Sequence, residues 1–175
     1  GLDFGAATNP EAIIDMVDMF SIYNGYGLDF TALGMGQADQ YGNVNTTKFG
    51  SRAPGPGGFI DISQSARKAV FVGAFTAGKL EVKVEDGQLK IIQEGNIRKF
   101  VKQVEQISFS GTEATRNKQD VWYVTERAVF HLEEGKMVLM EIAPGIDLEK
   151  QILALMDFKP IVSPNLRVMD QSIFK

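Results

Sequence analysis

The sequence predicts an α/β fold in a single domain spanning residues 1–175: an open, mixed β-sheet layered with flanking helices, with a β-rich second half. Three features of its patterning lead there. Ile13, Ile14, Val17 and Phe20 recur at helical spacing near the start. The run Lys68-Ala-Val-Phe-Val-Gly-Ala-Phe75 is apolar throughout after its lysine, as in strands covered on both faces. From Leu80 onward, apolar and charged residues alternate with period two. Helix and buried strand followed by alternating strands is the pattern of a layered sheet. A chain of 175 residues buries roughly 70% of the surface it exposes when unfolded, so one core suffices without disulfides or metal.

Asn9-Pro10-Glu11 places a capping residue, a proline suited to the first helical position and an acid near the positive helix end in order. A helix is expected from there until Asn24-Gly25 and Gly27 stop it. Residues 28–36 read as a short buried strand ending in small residues, Asp39–Asn43 as a turn, and Val44–Phe49 as a second strand. Gly50–Gly58 carries four glycines and two prolines in nine residues, which makes it a shaped loop. Phe59–Ala66 suits a short helix, with Asp61 as its expected cap, and Lys68–Phe75 is the buried strand closed by Thr76-Ala77-Gly78. Asp86-Gly87 marks a hairpin between two alternating segments. Further strands are expected at Val101–Phe109, Val121–Val124, Ala128–Leu132 and Met137–Ile142, with a turn at Glu133–Lys136. Leu148, Ile152, Leu155 and Met156 mark a closing amphipathic helix.

Composition excludes several functions. Eighteen basic residues against 22 acidic leave a net charge of −4, with no basic excess to neutralise phosphates, so neither nucleic acid nor an anionic membrane is an expected partner. The absence of cysteine removes thiol nucleophiles, thiolate metal sites and disulfides, and fits a reducing, cytoplasmic location. No apolar run reaches the roughly 18 residues of a membrane span, and no signal peptide is recognisable. His131 is the only histidine, and its place late in an alternating strand suits a surface or sheet-edge residue better than a catalytic one. No metal-ligand spacing occurs. Gly34-Met-Gly36 lacks the third glycine of a dinucleotide fingerprint. Gly50 and Gly55 have P-loop separation, but Pro56-Gly57 stands where Lys-Ser/Thr is required.

What remains is Gly55-Pro-Gly57-Gly58, whose glycines bring backbone N–H groups close to a ligand and suit a carbonyl oxygen, an oxyanion or a phosphate. A purely structural loop is the competing reading. Phe75, Thr76, Ala77 and Gly78 stand at the end of the second buried strand, where open α/β sheets form ligand crevices; a simple strand terminus is the alternative there.

Two blocks of sequence carry a resemblance. The first is Gly34-Met-Gly-Gln-Ala-Asp-Gln-Tyr-Gly-Asn-Val-Asn45, then Lys48-Phe-Gly50, then Gly57-Gly-Phe-Ile-Asp-Ile-Ser-Gln-Ser-Ala-Arg-Lys-Ala-Val-Phe-Val-Gly-Ala-Phe-Thr-Ala-Gly78. The second is Tyr123-Val-Thr-Glu-Arg-Ala-Val-Phe130, followed by Glu141-Ile-Ala-Pro-Gly-Ile-Asp-Leu-Glu-Lys-Gln-Ile152 and Met156-Asp-Phe-Lys-Pro160. Together they resemble the C-terminal, β-type half of family I coenzyme A transferases, which act on acetate, propionate, acetoacetate and other short-chain acids. The resemblance implies a CoA-transferase-like layered fold and a ping-pong transfer of CoA through a glutamyl-CoA thioester. CoA and acyl-CoA are then substrates, and no tightly bound cofactor is implied. Gly57, Gly58 and Gly55 would serve the oxyanion and the CoA arm, Phe75 to Gly78 would lie alongside, and Gln37 and Asn43 are lesser candidates.

In that family the nucleophilic glutamate precedes the stretch matching Leu2-Asp-Phe-Gly-Ala-Ala7, so the resemblance places it upstream of Gly1. Glu11 is explained by its expected helix start; Glu126 and Glu141 match the family as strand residues. A start at Gly1 without methionine therefore reads as a piece of a longer chain, expected to be inactive alone. Its expected partners are the N-terminal α-type half, acyl-CoA, a short-chain carboxylate and further copies in a homo-oligomer. A CoA-thioester hydrolase on the same scaffold and a non-catalytic CoA- or partner-binding module are the alternatives.

Overall fold

The computed structural model describes residues 8–175, so the apolar start Gly1–Ala7 lies outside the described residues. In chain order the elements are α1 (Met16–Tyr26), β1 (Leu28–Gly34), β2 (Gln37–Asp39), β3 (Val44–Asn45), α2 (Phe59–Ser65), β4 (Ala66–Val72), β5 (Thr76–Ala77), β6 (Glu81–Glu85) and β7 (Gln88–Gln93). There follow β8 (Ile97–Arg98), β9 (Phe100–Val101), α3 (Gly111–Arg116), β10 (Asp120–Val124), β11 (Ala128–Glu133), β12 (Lys136–Ile142), α4 (Leu148–Gln151) and β13 (Ile161–Val168).

Six of these strands form one mixed sheet in the order β1-β4-β10-β11-β12-β13. β1, β4 and β10 run parallel, β11 and β12 follow as an antiparallel meander, and β13 lies parallel to β12 at the edge. The remaining strands make small satellite pairings, including the β6–β7 hairpin. Its turn carries Asp86 at φ 54 and Gly87 at φ 71, the paired left-handed residues of a two-residue hairpin.

The register sets Phe71 beside Tyr123 and Tyr123 beside Phe130, so alternate residues of three strands share the core face. There Phe71 lies 4.8 Å from Phe109, 5.6 Å from Tyr123 and 5.7 Å from Phe59 of α2 between ring centroids. A second aromatic group joins Phe75, Phe100 and Phe130 at 4.8 and 5.0 Å. These rings supply most of the large buried surface, at separations where aromatic pairs attract beyond simple burial.

Several elements depart from the sequence expectation, each for a local reason. The first helix begins at Met16, not after Pro10: the Asp15 carboxylate accepts the Val17 N–H at 2.8 Å, while Asn9 sits at φ 51, a conformation foreign to an N-cap. Ile13 is 89% exposed, so no packing extends the helix backwards, and Glu11 lies ahead of the helix. The strand expected over Val44–Phe49 stops at Asn45, whose side-chain oxygen takes the N–H groups of Thr47 and Lys48 and turns the chain. That expected over Val101–Phe109 is the two-residue β9; thereafter Asp39 takes the Val104 N–H, and only Phe109 returns to bridge Val44. Asp61 does not cap α2 but stands within its first turn, accepting the Asn24 amide at 2.8 Å. The closing helix breaks after Gln151 because the Gln151 carbonyl is taken by Arg127 at 3.2 Å while Ile152 is driven into the core. β4 is not covered on both faces, for its residues alternate and Val72 is 47% exposed. The unanticipated α3 is capped by Ser110, which accepts the Glu113 N–H, and β13 carries Pro164 where an edge strand tolerates it.

Candidate functional site

The three parallel strands end together, and each is followed by a segment of interest: Met35-Gly36 after β1, Gly73-Ala74-Phe75 after β4, and Thr125-Glu126-Arg127 after β10. The carboxyl ends of parallel strands are where α/β sheets leave room for ligands.

The glycine-rich loop reaches this end on the core side of the sheet, because α2, which follows it, packs Phe59 on Phe71. Phe49 and Arg52 exchange two backbone hydrogen bonds, and the Gly55 N–H bonds to the Thr47 carbonyl at 3.3 Å, which folds the loop on itself. Gly57 has φ 54, a conformation side chains rarely adopt, and nothing lies within 4 Å of the place its side chain would take. At Gly58 a Cβ would come within 2.6 Å of the Phe20 ring, so α1 sits directly against the backbone there. Among the described residues, the N–H groups of Gly57 and Gly58 find no backbone or side-chain acceptor, whereas Phe59 N–H bonds to the Pro56 carbonyl at 3.0 Å. The loop therefore presents two amides without a protein acceptor, with open space beside Gly57 and the Phe20 ring packed against Gly58.

Behind the end of β4 lies a feature with no clear sequence signal. Arg127 is fully buried, and its fork is engaged throughout: Nη1 and Nη2 reach the two oxygens of Glu94 at 2.7 and 3.1 Å, and Nε reaches Glu126 at 2.6 Å. Its guanidinium lies 5.1 Å from the Phe75 ring centroid. The other Glu126 oxygen accepts the Phe75 N–H at 2.8 Å, and Thr76 Oγ1 donates to Glu94. Glu126 thus belongs to the turn between β10 and β11 and not to a strand. Burial pushes the Glu94 carboxyl up, but bonds from Arg127 and Thr76 more than offset it and hold the group below its ordinary value. A carboxylate depressed on folding contributes stability above its unfolded pKa and loses it as pH falls through the lower, folded value. The Glu94 contribution to thermal stability should therefore be full and independent of pH near neutrality and fade progressively below about pH 4.5. Comparing the acid slope with that of Glu94→Gln, which lacks this contribution, is the check.

The other sequence candidates separate into backbone and core. The Phe75 ring is fully buried between Phe100 and Phe130, so it cannot form part of a CoA-binding wall. Thr76 is held by Glu94 and Gly95, and Ala77 pairs with Ile97 in the β5–β8 ladder. Gly78 accepts the Asn96 N–H at 3.0 Å. Asn43 bonds to Asp39 and to the Gly111 N–H, and Gln37 to Asn45 and Glu105, so both hold loops together. On the opposite face of the sheet, Val72, Ala74, Leu80, Val82 and Val124 line an open apolar crevice of about 550 Å3 that also touches Glu126. Gly73 and Thr125 complete its lining, to which the glycine-rich loop contributes no residue. His131 stacks on Trp122 at 4.3 Å between Asp120 and Glu133, each 3.0 Å away, far along β11 from the glycine loop. Among the described residues no helix is long and apolar enough to cross a membrane.

The chain is similar over nearly all its length to proteins of known activity. It is 48% identical to the acetate CoA-transferase YdiF of Escherichia coli K12 over 174 residues, 99% of this chain and 33% of that protein. It is 51% identical to the caffeate CoA-transferase of Acetobacterium woodii over 177 residues, 98% of this chain and 34% of that protein. With the acetate CoA-transferase subunit beta of Haemophilus influenzae the identity is 31%, over 77% of this chain and 51% of the subunit. The crystal structure of the E. coli O157:H7 acyl-CoA transferase in a thioester complex with CoA superposes with a TM-score of 0.94 at 47% identity, covering 98% of this chain and 34% of that one. No protein-family model matches. The chain spans about a third of the length of the first two relatives.

Proposed function

Since this chain is a homologue of the CoA-transferases over nearly its whole length, we propose that the protein it forms part of transfers CoA between short-chain carboxylic acids. In this reading the chain is the C-terminal, β-type domain, an α-type half completes the cleft, and the nucleophile is a glutamate upstream of Leu2. The glutamate carboxylate attacks the thioester carbonyl of acyl-CoA, and the tetrahedral oxyanion collapses with loss of CoA thiolate to an acyl-glutamyl anhydride. The thiolate then attacks the glutamyl carbonyl and expels the acyl group as its carboxylate, leaving a glutamyl-CoA thioester. An acceptor acid reverses both steps and leaves as the new acyl-CoA. Each tetrahedral oxyanion needs donors fixed in advance.

The observation that carries the proposal is the pair of amides at Gly57 and Gly58 that no protein acceptor engages, with open space beside Gly57. Phe75 to Gly78 contribute through their backbone, which the Arg127 network holds in place. The test is borohydride reduction of the full-length protein after acyl-CoA treatment, followed by peptide mass spectrometry. Reduction of one glutamate upstream of Leu2, together with CoA exchange that requires an acceptor acid, is expected. Acyl-CoA turnover without a reducible glutamate, or without dependence on the acceptor, would overturn it.

A further inference from the structure

Lys99 is the anomaly of this end of the sheet. It lies between β8 and β9 and is only 9% exposed, yet among the described residues its ammonium makes no hydrogen bond or ion pair. The nitrogen rests against the bare Cα of Gly73, where a Cβ would stand 2.7 Å from it, with the Met35 carbonyl alongside. Gly73 lies one residue past β4 and also lines the crevice on the outer face of the sheet, so the ammonium sits at the carboxyl end of β4, beside that of β1. The backbone continues directly from Met35 to Gly36, which lies under the Phe49 ring at the base of the glycine-rich loop. The side-chain atoms sealed from solvent without a partner are Thr46 Oγ1 and Gln119 Oε1, not Lys99 Nζ, so solvent reaches the nitrogen.

The nearest countercharge does not serve it. Glu126 acts on Lys99 through space, but one of its oxygens is bonded to Arg127 and the other to the Phe75 N–H. Burial pushes the Lys99 ammonium below its ordinary value, and the Glu126 charge only partly opposes this. A cation with three donors, largely desolvated and without a protein acceptor, is costly to keep. Such a group is retained where an anion arrives to complete it.

We propose that the Lys99 ammonium is the counter-ion for a single carboxylate that enters at the carboxyl ends of β1 and β4. A monoanion fits better than a phosphate, since Lys99 brings a single buried ammonium and the Glu126 carboxylate acts on the same place. The proposal deepens the transferase reading and rests on it for the source of the carboxylate, either the acid substrate or the upstream glutamate.

The test uses the full-length protein as wild type, Lys99→Met and Lys99→Arg, with acetate as the probe. Acetate affinity is measured by calorimetry without turnover, alongside the melting temperature and the pH profile of glutamyl-CoA formation. If the substrate is the source, Lys99→Met weakens acetate at least tenfold, leaves the KM for acyl-CoA within twofold and melts no lower than wild type, while Lys99→Arg recovers most of the affinity. If the upstream glutamate is the source, acetate binding holds but the acidic limb of the profile moves to higher pH, because the carboxylate has lost its cation. A Lys99→Met protein that keeps both acetate affinity and pH profile overturns the proposal. So does one that melts lower and loses acetate and acyl-CoA alike, as a structural lysine would. Glutamyl adduct formation in the wild type reports separately on the transferase reading.

Discussion

Replacing Arg127 by methionine is expected to cost about 3–5 kcal/mol of folding stability, the range for removing one partner from a buried ion network. The guanidinium is fully buried and answers Glu94, Glu126 and the Gln151 carbonyl at once. Methionine fills much of the volume but leaves the part-buried Glu94 and Glu126 carboxylates without their guanidinium partner. Arg127→Lys should recover less than half of the loss, since a point charge cannot bridge both oxygens of Glu94 and reach Glu126. Denaturant unfolding measures both variants, and a loss under about 1 kcal/mol for the methionine would show that the network is not what holds this region.

The second large effect is on chemistry. Gly57→Val in the full-length protein keeps the backbone N–H but turns and crowds it, and should lower kcat/KM for CoA transfer by about 100-fold, as much as losing one oxyanion donor would. The space beside Gly57 is open, so the side chain would fit and, in the proposed site, would crowd the ligand. Its φ of 54 makes the valine strained, with a stability loss of about 1–2 kcal/mol. Gly87→Val is the matching control: Gly87 also has positive φ and open space, but it sits at the tip of the β6–β7 hairpin. It should lose similar stability and keep its transfer rate. Equal kinetics in the two variants would remove Gly57 from the site.

The parts of the fold legible in the sequence are those written by side-chain periodicity. The β6–β7 hairpin, the strands β10 to β12 and the short helix α2 lie where alternation, Asp86-Gly87 and the end of the glycine loop put them. What could not be read was decided by contacts remote in the chain. Nothing in Gln151 or Ile152 announces that Arg127 will draw off a carbonyl and end the helix, and nothing in Val104 announces that Asp39 will take its N–H. The same holds for the candidate site. Gly57 and Gly58 stand out because glycine is rare in such density, whereas the burial of the Phe75 ring could not be read, because an apolar residue after a strand looks alike whether it faces solvent or core. Arg127, Glu94 and Lys99 escaped notice because charged residues between strands ordinarily belong to the surface; their burial is a tertiary fact.

The order of strands has one more consequence, in the entropy of chain closure. β10, β11 and β12 are neighbours both in the sheet and along the chain, joined by tight turns, whereas β1 meets β4 only across the whole glycine loop and α2, and β4 meets β10 across the hairpin and α3. Closing a longer loop costs more configurational freedom before any contact repays it. The meander is therefore the cheapest part of the sheet to assemble, and its β10 edge offers a ready template on which β4, and through it the loop-bearing edge of the molecule, can be laid down last.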